Sequence, residues 1–132
     1  MNDTRRLHAL VCEDDALLAL DLEHQLKTLG YCVIGPFASQ SAALRALRSQ
    51  TPDVAVIDVE LADGACTRLA GLLREADVPT LVVSGLAIQD PPPEYARAAW
   101  LSKPLAPGAL GRALLRQTAA FSGESQTETA AE

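Results

Sequence analysis

Apolar residues fall along this chain in short unbroken runs, each closed by charge, polarity or glycine. "LHALVC" (7–12) is the first, and "YCVIGPF" (31–37), "DVAVID" (53–58), "PTLVVSG" (79–85) and the latter part of "YARAAWLS" (95–102) follow. Runs of this length, rich in valine and isoleucine, predict buried strands. Between them the spacing changes. In "ALLALDLEHQLKTLG" (16–30), Leu18, Leu22, Leu26 and Leu29 recur at helical intervals, and Gly30 supplies a stop. "SQSAALRALRSQ" (39–50) predicts a second helix capped by Ser39 or Ser41. "ACTRLAGLLREA" (65–76) predicts a third and "APGALGRALLRQTAAF" (106–121) a last one. "LADG" (61–64) reads as a loop, and "LAIQDPPPE" (86–94) as a proline-broken loop, with a short helical turn before the fifth strand.

Strand and helix therefore alternate five times. Strands that are apolar along their whole length belong in a parallel sheet buried on both faces. The expected fold class is α/β: one domain over residues 6–120, a five-stranded parallel sheet with helices on both faces, then a disordered polar tail over 121–132. In such sheets ligands bind beyond the carboxyl ends of the strands. Polar residues collect at those ends: Glu13-Asp14-Asp15 after the first strand, Asp58 after the third, Ser84-Gly85 after the fourth, and Ser102-Lys103-Pro104 after the fifth.

Composition narrows the classes. A chain of 132 residues, 48% hydrophobic and 21% charged, suits a single globular domain. A net charge of −6 argues against nucleic-acid binding. No apolar run is long enough to cross a bilayer and "MNDTRRLHAL" lacks the apolar core of a secretory signal, so a cytoplasmic location without membrane insertion is expected. The three cysteines, Cys12, Cys32 and Cys66, form no CxxC, which fits reduced thiols; with His8 and His24 they make no metal-ligand spacing.

Clustered carboxylates repel one another unless a cation neutralises them. Mg²⁺ prefers oxygen ligands and commonly takes one or two carboxylates plus a phosphate. A carboxylate can also be a nucleophile that forms an acyl phosphate. A hydroxyl and an ammonium suit the oxygens of a phosphoryl group in transfer. The rim thus fits Mg²⁺-dependent phosphoryl transfer onto an aspartate. Each piece has a plainer use too: acids complement a helix N-terminus, Asp58 can cap a turn, Ser84 can satisfy backbone groups, and Lys103 can be a surface lysine.

Taken together, "LVCEDD", "VAVIDVEL", "DG" at 63–64, "LVVSG" and "WLSKPL" resemble the receiver domain of bacterial two-component response regulators, a flavodoxin-like, CheY-like fold, across about residues 6–120. The resemblance implies that Asp58 is the phosphoacceptor and that Glu13 and Asp14 hold Mg²⁺ with Asp58, Asp14 more directly. Asp15 is then an extra acid. Glu60 would lend its backbone carbonyl to the metal, and its side chain sits where the family tunes access of hydrolytic water. Ser84 resembles the switch hydroxyl, Lys103 the lysine that pairs with the phosphoryl group, and Trp100 the switch aromatic. A cis bond before Pro104 is implied as well. Two departures stand out: the loop after Asp58, "VELADG", has no proline, and Pro91-Pro92-Pro93 leaves the fourth helix short or irregular. With "ALLALDLE" and "PTLVVSG", these give a looser resemblance to alphaproteobacterial FATGUY-type receivers, in which helix four is weak or absent and the kinases are often of the HWE or related class.

The function implied is signalling rather than enzymatic: a stand-alone receiver that assists its own phosphorylation and dephosphorylation. The partners implied are a sensor histidine kinase or phosphotransfer protein and an unnamed downstream protein. Oligomeric state is left at monomer or weak dimer. The rivals are a phosphate sink without output, a scaffolding pseudo-receiver, and an aspartyl-phosphate phosphatase.

Overall fold

A computed structural model of the chain describes residues 6–85 and 89–131, with side chains up to Ser122. Residues 86–88 of the proline-broken loop and Glu132 of the tail lie outside the described residues. Five strands form one parallel sheet: β1 (His8–Cys12), β2 (Cys32–Phe37), β3 (Val54–Ile57), β6 (Thr80–Ser84) and β7 (Ala99–Ser102), in the order β2-β1-β3-β6-β7. The helices are α1 (Ala16–Thr28), α2 (Gln40–Ala46), α3 (Thr67–Glu75) and α4 (Ala109–Ala131). The expected five-stranded α/β sheet is thus the architecture found.

Alternation along each strand sorts the core into two layers. Leu10, Cys12, Ala55, Ile57 and Val82 point to one side and meet Ala43 of α2 and Leu69, Ala70 and Leu73 of α3. Ala9, Val11, Val54, Val56, Leu81 and Val83 point to the other and meet Leu22 and Leu26 of α1 with Leu110, Ala113 and Leu114 of α4. Both faces of the central strands are apolar because both are covered.

Some elements depart from expectation. "LADG" is not an irregular loop: β4 (Glu60–Leu61) and β5 (Gly64–Ala65) pair antiparallel as a small hairpin. Two-residue strands carry too little pattern to be read from sequence. The second helix stops at Ala46, short of residue 50, and of the two candidate caps Ser39 is the one used, accepting from the Ala42 amide. The last helix runs from Ala109 to Ala131, through the segment read as a disordered tail. Beyond Gly123 that segment has no proline, and its alanines, glutamates and glutamine favour helix. Between β6 and β7 the described residues contain no α-helix, only a 3₁₀ turn at Pro93–Tyr95, in keeping with the proline run.

Cys12 and Cys66 are buried, while Cys32 is partly exposed. Burial pushes the Cys66 thiol up to about 12, and the charges of Asp58 and Asp63 push the same way; burial and the neighbouring Cys66 raise Cys12 as well. Thiolate is the reactive form. A thiol reagent at pH 8 is therefore expected to modify Cys32 first, leaving Cys12 and Cys66 protected until the protein unfolds. Mapping the adduct by peptide mass checks this.

Candidate functional site

The carboxyl end of the sheet is built by register. Cys12 pairs with Ile57 across β1 and β3, so Glu13 and Asp58 leave the sheet side by side. The Asp58 amide donates to the Cys12 carbonyl at 3.1 Å. Ser84 pairs with Ser102 across β6 and β7, and the Lys103 amide donates to the Ser84 carbonyl at 2.9 Å, which brings the ammonium-bearing chain over the rim. The Lys103–Pro104 bond is cis, as the resemblance implied, and Gly35–Pro36 is cis as well.

On the other flank, Gly35 explains how Glu13 is set. Its φ is +106°, and a Cβ there would lie 2.8 Å from the Val11 carbonyl oxygen, so only glycine fits. The β1–β2 register shifts between Leu10 and Cys12, and beyond the shift the Glu13 amide donates to the Phe37 carbonyl at 2.9 Å. The bulge thus fixes the backbone from which Glu13 projects.

The three carboxylates converge. Glu13, Asp14 and Asp58 each place one oxygen within 4.8 Å of the others. Lys103 Nζ lies 2.6 Å from Asp58 Oδ2 and 3.0 Å from Glu13 Oε1. The contact to Asp58 is a hydrogen bond; the one to Glu13 is an ion pair without hydrogen-bond geometry, so Glu13 Oε1 is neutralised by charge alone. Glu13 is buried, and burial pushes its carboxyl up, against the Asp15 amide and Lys103, which pull it down. Burial draws the Lys103 ammonium down, but its hydrogen bond to Asp58 and its ion pair with Glu13 outweigh this and leave it raised.

An open cleft of about 300 Å³ lies over the cluster, lined by Asp14, Asp58, Val59, Glu60, Leu61, Ser84 and Gly85. Glu60 begins the hairpin, and its amide donates to Asp58 Oδ1 at 3.3 Å. Ser84 is buried at the cleft's edge. Glu13, Asp14, Asp58, Glu60, Ser84 and Lys103 are therefore brought to one place. Trp100 lies elsewhere: it is half-buried on β7 opposite Val82, below the rim on the α2–α3 side, its ring 5.6 Å from that of Tyr95.

Hard oxygen donors at this spacing, with an open side toward the cleft, fit a small divalent cation such as Mg²⁺. Asp15 takes no part in that cluster. Its side chain caps α1, accepting from the Leu17 and Leu18 amides, while its own amide donates to Glu13 Oε2 at 3.0 Å. The plain use of acids at a helix start holds for this one residue; an aspartate directly ahead of an apolar helix was the available signal. Asp63 was legible only as part of a turn. Its carboxylate accepts from the Gln40 and Ser41 amides at 2.7 and 3.0 Å, and Gln40 in turn accepts from the Leu69 amide. The hairpin after Asp58 is thereby tied to the starts of α2 and α3.

Comparison with known proteins agrees with this geometry. The model of the response regulator receiver domain matches residues 9–114. The regulator PhyR of Methylorubrum extorquens is 33% identical over 78 residues, covering 57% of this chain and 29% of that protein, so the chain spans less than a third of that relative's length. A response regulator receiver protein from Sinorhizobium medicae superposes with a TM-score of 0.76 at 25% identity, over 90% of this chain and 99% of the other. A CheY-like receiver domain from Methanospirillum hungatei gives 0.80 at 20% identity, over 91% and 99%. With the family pattern spanning most of the sheet and both helical layers, the chain belongs to the response regulator receiver domains of two-component systems.

Proposed function

We propose that this receiver accepts one phosphoryl group on Asp58 from a sensor histidine kinase or phosphotransfer protein, in a Mg²⁺-dependent reaction, and that the modified rim changes binding to a downstream protein. The observation that carries the reading is the position of Asp58. Its carboxylate touches the Lys103 ammonium at 2.6 Å, shares an acidic cluster with Glu13 and Asp14, and opens onto the cleft.

In the proposed step an Asp58 oxygen attacks the phosphorus. An acyl P–O bond forms as the donor's P–N bond breaks, and the electron pair leaves on the donor imidazole, which takes a proton from water. Lys103 neutralises negative charge that grows on the phosphoryl oxygens. Ser84 stands at the cleft's edge to hydrogen-bond one of those oxygens. The Glu60 amide keeps Asp58 Oδ1 turned toward the hairpin. Glu13, Asp14 and Asp58, with the Glu60 carbonyl, would hold Mg²⁺, which when bound supplies the charge that lets an anionic donor approach an acidic rim. Trp100 is assigned the switch position on β7. A cytoplasmic setting suits these partners, and among the described residues no helix is long and apolar enough to cross a membrane.

Asp14 provides the test of metal dependence, because it is exposed and its loss leaves the core intact. Asp14→Ala is expected to raise the Mg²⁺ concentration for half-maximal labelling by acetyl phosphate about ten-fold or more, the scale typical of losing a metal-orienting group. Intact mass against Mg²⁺ concentration reads it. An unchanged curve removes Asp14 from the ligand set.

A further inference from the structure

Among the described residues between β6 and β7 the chain carries one short turn, and that turn holds a single large side chain inside the protein. Tyr95 is 3% exposed. It packs in the same core layer as Cys12 and Ile57, the residues that immediately precede Glu13 and Asp58, and as Cys66 at the start of α3. Its ring meets that of Trp100 at 5.6 Å, tilted by 51°. Its hydroxyl is buried and has no hydrogen-bond partner.

A buried hydroxyl without a partner is costly, and a state that relieves it is favoured by the difference. The backbone on either side of Tyr95 is anchored. Arg74 of α3 donates to the Pro93 carbonyl on one side. On the other, Gln117 of α4 donates to the Arg97 carbonyl at 2.6 Å. Arg97 also pairs with Asp77 at 2.9 Å and lies over the Phe121 ring. The residues between these two anchors, Glu94 to Ala96, form an arch with Tyr95 as its keystone.

We propose that Tyr95 is the residue through which the state of Asp58 reaches the surface: it is held inward with its hydroxyl unpartnered in the resting protein, and the arch releases it to solvent when Asp58 is phosphorylated. This rests on the phosphoacceptor role of Asp58 and goes beyond it, since it moves the readout from a fourth helix to a three-residue turn. Trp100 acts with Tyr95 as its packing partner, and the two rings must rearrange together. The phenol's environment agrees with this burial, which pushes the hydroxyl up to about 12.

The test is Tyr95→Phe, which keeps the ring and removes the hydroxyl. If the hydroxyl is penalised only in the resting state, the variant stabilises that state alone. Its thermal midpoint is then equal to or above wild type, and its affinity for beryllofluoride with Mg²⁺ falls about five-fold or more. Amide exchange over residues 93–97 is expected to speed up when wild type binds beryllofluoride. A lower midpoint with unchanged affinity would make Tyr95 an ordinary core residue and overturn the proposal, as would unaltered exchange across the arch. Wild type is titrated first. If it fails to bind beryllofluoride, the phosphoacceptor reading itself fails and takes the inference with it; if it binds and the variant binds equally well, the inference alone fails.

Discussion

Asp58→Asn is expected to abolish phosphoryl uptake. After incubation with acetyl phosphate and Mg²⁺, wild type gains one phosphoryl group by intact mass and the variant gains none. The amide lacks the anionic oxygen that attacks phosphorus, so the loss lies in the chemistry. It is not expected to lie in the fold. Asp58 is one of three carboxylates within 4.8 Å, and an uncharged isostere lowers their mutual repulsion while Lys103 keeps Glu13 as its partner. The variant should therefore melt at or slightly above the wild-type temperature without metal. Label retained in the variant would move the acceptor to another carboxylate, and peptide mapping would show which.

Lys103→Met is expected to have the second-largest effect, and on stability as well as reaction. The ammonium is the only cation within reach of Glu13 and Asp58 among the described residues, and Glu13 is almost wholly buried. Removing one partner of a buried ion pair leaves charge without compensation, which costs several kcal/mol when burial is complete. Lys103 is a quarter exposed, so roughly 2 kcal/mol is the scale expected at pH 7 without metal. The pH dependence carries the signature. Burial already raises the Glu13 carboxyl in wild type, and without Lys103 it rises further. A group raised on folding contributes stability in full below its unfolded value and loses it as pH rises through its folded value. The destabilisation should therefore be absent at low pH and appear as Glu13 ionises. In wild type the same sign holds for Lys103: its raised ammonium stabilises the fold up to its unfolded value and ceases to do so as pH climbs through the folded one. Mg²⁺ should restore much of the variant's stability by replacing the missing charge. Thermal melts from pH 4 to 9, with and without Mg²⁺, read the variant's destabilisation and its rescue, and melts above pH 10 read the Lys103 contribution in wild type. Equal midpoints for variant and wild type at pH 7 without metal would show that Lys103 does not hold the cluster together.

The two largest effects fall on residues that the sequence placed. The reason is physical. Four of the five main strands are apolar runs that end abruptly in polar residues, so each of these strands and its rim residue are marked by the same boundary. Glu13, Asp58, Ser84 and Lys103 were legible for that reason, and the parallel order then gathers them. A short or irregular element between β6 and β7 was legible through Pro91-Pro92-Pro93, which cannot sustain a helix interior, and among the described residues there only a 3₁₀ turn forms. What stayed hidden depends on contacts between segments far apart in the chain. The β4–β5 hairpin is too short to leave a pattern, and Asp63 gains its role only when folding brings Gln40 and Ser41 against it. Tyr95 opens a stretch that reads as a short helical turn before a strand, so nothing local marks it as buried. The start of α1 shows the limit from the other side: three adjacent acids look alike in sequence, yet two join the acidic cluster with Asp58 and one caps a helix.

The pairing of β7 with β6 has a consequence for how such a domain can evolve. Trp100 opposite Val82 and Lys103 beyond Ser84 are set by one register. An inserted or deleted residue inside β7 would turn Trp100 to the opposite face of the sheet and carry Lys103 away from Asp58 in the same event. The proposed reaction and the proposed readout would be lost together, so neither could drift alone through length changes in that strand. A change of length in a loop outside the strand carries no such register penalty, because extra loop length costs little. Lineages of this domain are free to lengthen or shorten there, and so to redesign what the modified protein shows its partner while inheriting the chemistry unchanged.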